Sequence, residues 1–185
     1  MDCREREFRQ RIERFRDRRH VELSIQLRVT SGCFHRKCSP EAYRIIDDCI
    51  SSHPTDEFAF FEHESGPEIL VSLAITTAGI TLAKSVLDLI TTIIKARTED
   101  IEKEVSPDYP LVLMVRSIGA DDKFHENEVL RIDGHAPPPF QAIEDGLSEA
   151  INRIAKDRVP LRGVARFSQR PTPPQTPSDQ PNEDD

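Results

Sequence analysis

The residues in this 185-residue sequence best suited to chemistry fall in three short runs. The first is Cys33-Phe34-His35-Arg36-Lys37-Cys38. Two sulfurs and an imidazole are donors that hold zinc-class ions, yet a zinc site ordinarily draws a second close pair of ligands. The remaining candidates, His20, Cys49, His53 and His63, are scattered. The charged amino-terminal stretch does not read as a secretory signal, so reduced thiols are expected. Cys33, His35 and Cys38 are therefore weak metal-ligand candidates in what reads as an ordinary loop. The second run is Glu62-His63-Glu64, where a strand is expected to meet a helix start. On a strand His63 points away from both neighbours, so the two acids face together. That makes either a ligand site or a solvated strand end. The third run, His125, Glu126 and Glu128, reads as surface polarity in a hairpin loop. A Cys/His nucleophilic pair would meet in space rather than in sequence, and no spacing favours one. No catalytic residue and no cofactor is assigned.

Several activities are excluded. The seven glycines are Gly32, Gly66, Gly79, Gly119, Gly134, Gly146 and Gly163, and the closest two are 12 residues apart. A Walker A loop, a dinucleotide fingerprint and a nucleophile elbow all need glycines a few residues apart. His-Glu-x-x-His is also absent.

The elements that position these runs follow from periodicity. Val21 to Thr30 alternates apolar and polar, which predicts a half-buried strand. Ser39-Pro40-Glu41 opens a helix carrying Ala42, Ile45, Ile46 and Cys49 at helical spacing, closed by His53-Pro54. Phe58 to Phe61 reads as a second strand. Ser65 and Glu68 fit a capping box with Pro67 in the first turn, which predicts a long helix from Pro67 to Arg97. The charged run Thr98 to Glu104 continues that helix or frays into a linker. Leu111 to Val115 is an unbroken apolar run suited to a central strand, and Glu128 to Ile132 is another strand after the loop Gly119–Asn127. A last helix follows Pro137-Pro138-Pro139, with Phe140, Ile143, Leu147, Ile151 and Ile154 on its buried face.

The segment Ile69 to Ile94 holds 26 residues and two charges, Lys84 and Asp88. As a helix it would be about 39 Å long, against a bilayer core of about 30 Å. Thirteen Leu, Ile and Val residues favour insertion by about 4–8 kcal/mol, and each charge opposes it by up to about 2.5–3.5 kcal/mol. Six Ser/Thr residues between Thr76 and Thr92, with Gly79, bring the balance near zero. On a helical wheel of residues 77–95, Thr77, Thr81, Lys84, Ser85, Asp88, Thr91, Thr92 and Lys95 share one polar stripe, and the rest of the circumference is apolar or Gly. Such a helix is packed in an oligomeric α+β domain, embedded in a membrane with its stripe facing other copies, or laid along a membrane interface.

The net charge of −8 conceals a division. Residues 1–38 carry +5 and residues 39–185 carry −13. An acidic body argues against a broad phosphate-tracking surface. The Arg-rich arm interleaves acids at i,i+4 (Glu5/Arg9, Glu7/Arg11), which reads as a solvated helix with a thin apolar stripe at Phe8, Ile12 and Phe15. Nucleic acid or anionic lipid is a partner only through that arm. From about Pro160 the composition changes, and Pro171, Pro173, Pro174, Pro177 and Pro181 among Thr, Ser, Gln and Asp predict a disordered tail.

The expected organisation is an arm over 1–20, strand–helix–strand over 21–64, the long helix over 65–98, strand–strand–helix over 99–158, and the tail over 159–185. The fold class is α+β: a two-layer sandwich of about four strands with a long apolar helix, a charged N-terminal helix and a disordered C-terminal tail. Two small lobes joined by the helix would also fit. Glu64-Ser65-Gly66-Pro67-Glu68, the apolar segment, the strands 111–118 and 128–132 and the helix 142–154 resemble in layout the effector-associated constant components of bacterial conflict systems. The resemblance covers roughly residues 64–157. It implies a non-enzymatic accessory or adaptor protein in bacterial defence, with no catalytic residue carried over. The leading expectation is a cytoplasmic interaction module that self-associates through the apolar helix. The alternatives are a membrane-associated effector oligomerising through 69–94, and a small metal- or thiol-dependent enzyme.

Overall fold

Apolar residues at every second position make a strand with one face for a core. In the computed structural model that rule builds β1 (His20–Val29), whose Leu23, Ile25, Leu27 and Val29 are all buried. The structure describes residues 3–12, 20–53, 57–74, 81–104, 107–119, 121–133 and 137–158. In chain order the elements are α1 (Cys3–Ile12), β1, α2 (Pro40–Ser51), β2 (Ala59–His63), β3 (Gly66–Ala74), α3 (Lys84–Glu102), β4 (Leu111–Ile118), β5 (Phe124–Ile132) and α4 (Phe140–Arg158). The strands form one antiparallel sheet in the order β2-β3-β1-β4-β5, so the two-lobe arrangement does not occur. The run β1-α2-β2-β3-α3-β4 has the split βαβ, ferredoxin-like topology, extended by β5 and α4.

One face of the sheet carries the main core. Leu23, Ile25 and Leu27 of β1, Ile69, Val71 and Leu73 of β3, and Leu111, Leu113 and Val115 of β4 meet the helices there. The helices supply Ala42, Tyr43 and Ile46 from α2, Val86, Leu89, Ile90 and Ile93 from α3, and Ile143, Leu147, Ile151 and Ile154 from α4. The alternate residues face the other way. There Phe8 of α1 packs with Leu70, Ile118, Phe61 and Phe124, its ring edge-on to Phe124 at 5.6 Å. The α+β class holds, with five strands in place of about four.

The long apolar helix does not exist. Residues 66–74 are strand β3, and α3 begins only at Lys84 and runs on to Glu102. Every second residue of 69–73 faces the core, but Leu70 is apolar too, so the two-residue period is hidden in the sequence. A neighbouring strand on each side supplies the ladder that overrides the helical reading. The Ser65…Glu68 pattern, read as a capping box, lies at the β2–β3 turn, where His63 pairs with Gly66. The polar stripe dissolves with the helix. Thr77 lies outside the described residues and Thr81 precedes α3, while Lys84, Asp88 and Thr91 lie on it. The Thr91 hydroxyl donates to the Leu87 carbonyl within α3 (2.9 Å). Among the described residues no helix is long and apolar enough to cross a membrane.

Smaller corrections follow. The β4–β5 turn is short, closed by Gly119 N–H donating to the Lys123 carbonyl (2.8 Å), so His125, Glu126 and Glu128 lie on β5, not in a loop. Phe140, expected on the buried face of the last helix, is 42% exposed at its first position. Ser39 occupies the cap of α2, but its side chain makes no capping hydrogen bond. Phe15 and the tail over 159–185 lie outside the described residues.

Candidate functional site

The structure brings two of the candidate runs together at one corner of the fold. The β1–α2 loop carries Cys33 to Cys38, and the end of β2 with the turn into β3 carries Glu62 to Glu64. Phe34 N–H donates to the Glu64 carbonyl (2.9 Å). The Arg36 backbone N–H and Nε donate to the Glu62 carboxylate (2.6 and 3.2 Å). The Arg36 guanidinium also forks onto Asp47 of α2 and lies over the Tyr43 ring, 5.2 Å from its centroid. That hydrogen bond holds the Asp47 carboxyl below the usual carboxylate range. Beneath the loop, Phe34 is fully buried against Tyr43, whose hydroxyl donates to the Phe34 carbonyl (2.9 Å). Burial pushes the Tyr43 phenol well above its ordinary value.

Cys33 and Cys38 are joined in a disulfide, not free as expected. The turn that lets Cys38 N–H and Ser39 N–H both donate to the His35 carbonyl (2.9 Å each) folds the chain back and brings the sulfurs together. Sequence spacing alone does not report that fold-back. The His35 Nδ1 accepts the Lys37 backbone N–H (3.0 Å), and its Nε2 lies 3.9 Å from Cys38 Sγ. A backbone N–H can only donate, so Nδ1 is the acceptor and the proton of the neutral ring sits on Nε2. The donor atoms of Cys33, His35 and Cys38 all lie within 4.8 Å of one another, so these three residues could hold a metal ion. They could do so only after reduction, because thiolates are the metal ligands.

A second polar cluster lies on the sheet face opposite the main core, and it includes His63. The Glu68 side chain is 3% exposed; it accepts the Ser24 hydroxyl through Oε1, and His63 Nε2 lies 2.7 Å from Oε2. Arg116, 7% exposed, reaches Glu68 Oε1 at 3.9 Å and donates from Nε to Glu126 Oε2 at 2.6 Å. The sheet register sets these groups side by side: Ser24 opposite Arg116, Arg116 opposite Glu126, Gln26 opposite Glu68. Sequence reasoning missed this cluster. The polar half of β1 read as solvent-facing and Glu68 as a helix cap, and no local signal separates a buried polar face from a wet one. So the run 62–64 splits: Glu62 clamps the loop, His63 joins the sheet-face cluster, and Glu64 lends its carbonyl. Thr81, Lys84, Asp88 and Thr91 belong to neither cluster.

Arg97 is a third finding of the tertiary structure. It is the largest fully buried side chain among the described residues, stacked over Phe34 at 5.4 Å, with Nη2 donating to the Pro107 carbonyl (2.6 Å). Burial lowers its pKa. Comparison with protein-family models, curated proteins and solved structures gives no match.

Proposed function

We propose that this chain is a non-enzymatic interaction module that associates with a second copy of itself through the outer edge of β5. The carrying observation is the position of β5: nine residues long and outermost in the sheet, where the opposite edge strand β2 has five. An outer strand offers backbone donors and acceptors that a further strand can pair with. The helical route to self-association is gone, because 69–73 lies inside the sheet and α3 is packed in the core. Charge pattern supports a two-fold pairing. Glu126 and Arg131 both lie on the non-core face, and an antiparallel β5–β5 register that sets one against the other does so twice by symmetry. The layout resemblance would make such a module an accessory component of bacterial defence. The self-association reading does not depend on it.

Light scattering of the full chain over a wide concentration range tests the proposal, with a dimer expected. Consecutive strand residues point their N–H groups to opposite sides. Of His125→Pro and Glu126→Pro, one therefore removes an outward N–H and should give a folded monomer. A monomer at every concentration, or a dimer unaffected by either variant when both fold, overturns it.

A further inference from the structure

We propose that the Cys33–Cys38 disulfide is a stoichiometric thiol–disulfide exchange site, with His35 as the donor that stabilises the departing Cys38 thiolate. The inference is independent of the β5 edge. Three observations carry it. The first is the imidazole: Lys37 N–H occupies Nδ1, so the Nε2 proton is left to face Cys38 Sγ at 3.9 Å. A donor aimed at one sulfur of the pair makes that sulfur the better leaving group. The second is placement. Cys38 is exposed and precedes the first residue of α2, Pro40, by two positions, beside the positive end of a twelve-residue helix. Both effects favour the thiolate at Cys38. The third is that the loop does not need the disulfide to hold its shape. Phe34 is seated under Tyr43 and bonded to Glu64, and Arg36 ties the loop to Glu62 and Asp47. The sulfur–sulfur bond can therefore open without releasing the chain around it.

The co-reactant is a dithiol, of small-molecule or protein origin. One of its thiolates attacks Cys33 Sγ; the sulfur–sulfur bond breaks and its electron pair leaves on Cys38 Sγ, facing His35 Nε2–H. A mixed disulfide now sits on Cys33. The second thiolate of the dithiol attacks the sulfur of its own chain in that mixed disulfide, and the electron pair leaves on Cys33. Two protons complete the two thiols. The chain is reduced by two electrons and the dithiol is oxidised to its disulfide. Cys38 is the more exposed of the two, but attack on Cys33 is favoured because the rate follows the stability of the leaving thiolate.

The test uses the full chain with Cys3→Ser and Cys49→Ser, so that only this pair reports. The folded protein is treated briefly with glutathione, quenched with iodoacetamide, and mapped by mass spectrometry. Expected are glutathione on Cys33 and the alkyl group on Cys38. The reverse placement overturns the proposal, as does a disulfide that dithiothreitol opens only after denaturation. In His35→Ala, opening by dithiothreitol should slow by about threefold or more. His35→Gln, which keeps an N–H donor, should restore most of the rate. Equal rates in folded wild type and His35→Ala overturn the role given to His35.

Discussion

His63 Nε2 lies 2.7 Å from Glu68 Oε2 across the β2–β3 hairpin, joining a ring 28% exposed to a carboxylate 3% exposed. Glu68 also accepts from Ser24 and faces Arg116. Removing one member of a buried ionic network strands the others, which typically costs about 3–5 kcal/mol. Glu68→Ala should therefore destabilise by about 3 kcal/mol in urea or thermal unfolding. Glu126→Ala, whose side chain is 24% exposed, should cost less. Equal effects would show that burial does not set the strength of this network.

Gly66 is a backbone constraint. Its φ is 138°, and a Cβ there would lie 2.0 Å from the Leu27 carbonyl oxygen of the neighbouring strand. The Cβ is fixed by its own backbone and the oxygen belongs to the backbone of β1, so nothing flexible can yield. Gly66→Ala should lose about 3 kcal/mol or more. A melting temperature within a degree or two of wild type would be incompatible with this packing.

Tyr43 should make the fold alkali-sensitive. Burial raises the folded pKa of its phenol above the unfolded value of 10.0. The protonated phenol is favoured in the folded chain, so this contribution is complete below about pH 10 and is lost as pH rises further. Tyr43→Phe should cost about 1 kcal/mol at pH 7, because the hydrogen bond to the Phe34 carbonyl is lost. Above pH 10 the variant should lose stability less steeply than wild type. Urea midpoints from pH 8 to 11.5 would show the two curves converging.

Arg97 is an expensive way to fill space. It is 2% exposed, and its Nε and Nη1 have no hydrogen-bond partner among the described residues. Met fills a similar volume without a buried cation, which offsets the lost bond to Pro107 and the lost attraction to Asp100 and Asp108. Arg97→Met should leave stability within about 1 kcal/mol of wild type. A loss above about 3 kcal/mol would show that the cation is properly compensated after all.

The disulfide closes a short loop, with a sequence separation of 5. Chain-entropy estimates for a loop of that size give about 2 kcal/mol. The double variant Cys33→Ser/Cys38→Ser should therefore stay folded, with a modest drop in its urea midpoint. Unfolding of that variant at 25 °C would mean that the loop depends on its covalent link.

The amino-acid sequence alone sets whatever a local pattern dictates. The alternation of Val21–Thr30 forms β1, Leu111–Val115 forms the first five residues of a wholly buried β4, and Ile143, Leu147, Ile151 and Ile154 line the buried face of α4. These assignments need only the periods of strand and helix, and a side chain's polarity reports them directly. Residues 69–73 are the contrary case. Ile-Leu-Val-Ser-Leu suits a helix or a doubly covered strand, and only the ladders from β1 and β2 decide between them. The same holds at the sites. Residue types marked Cys33, His35, Cys38 and Glu62–Glu64 as chemically able, because donor atoms are a property of composition. That Arg36 joins the two runs, that the two sulfurs bond, and that Glu68 lies buried between Ser24 and His63 depends on chain segments far apart in sequence. Those distances are set by how the sheet is ordered and in what register, which no local window of residues contains.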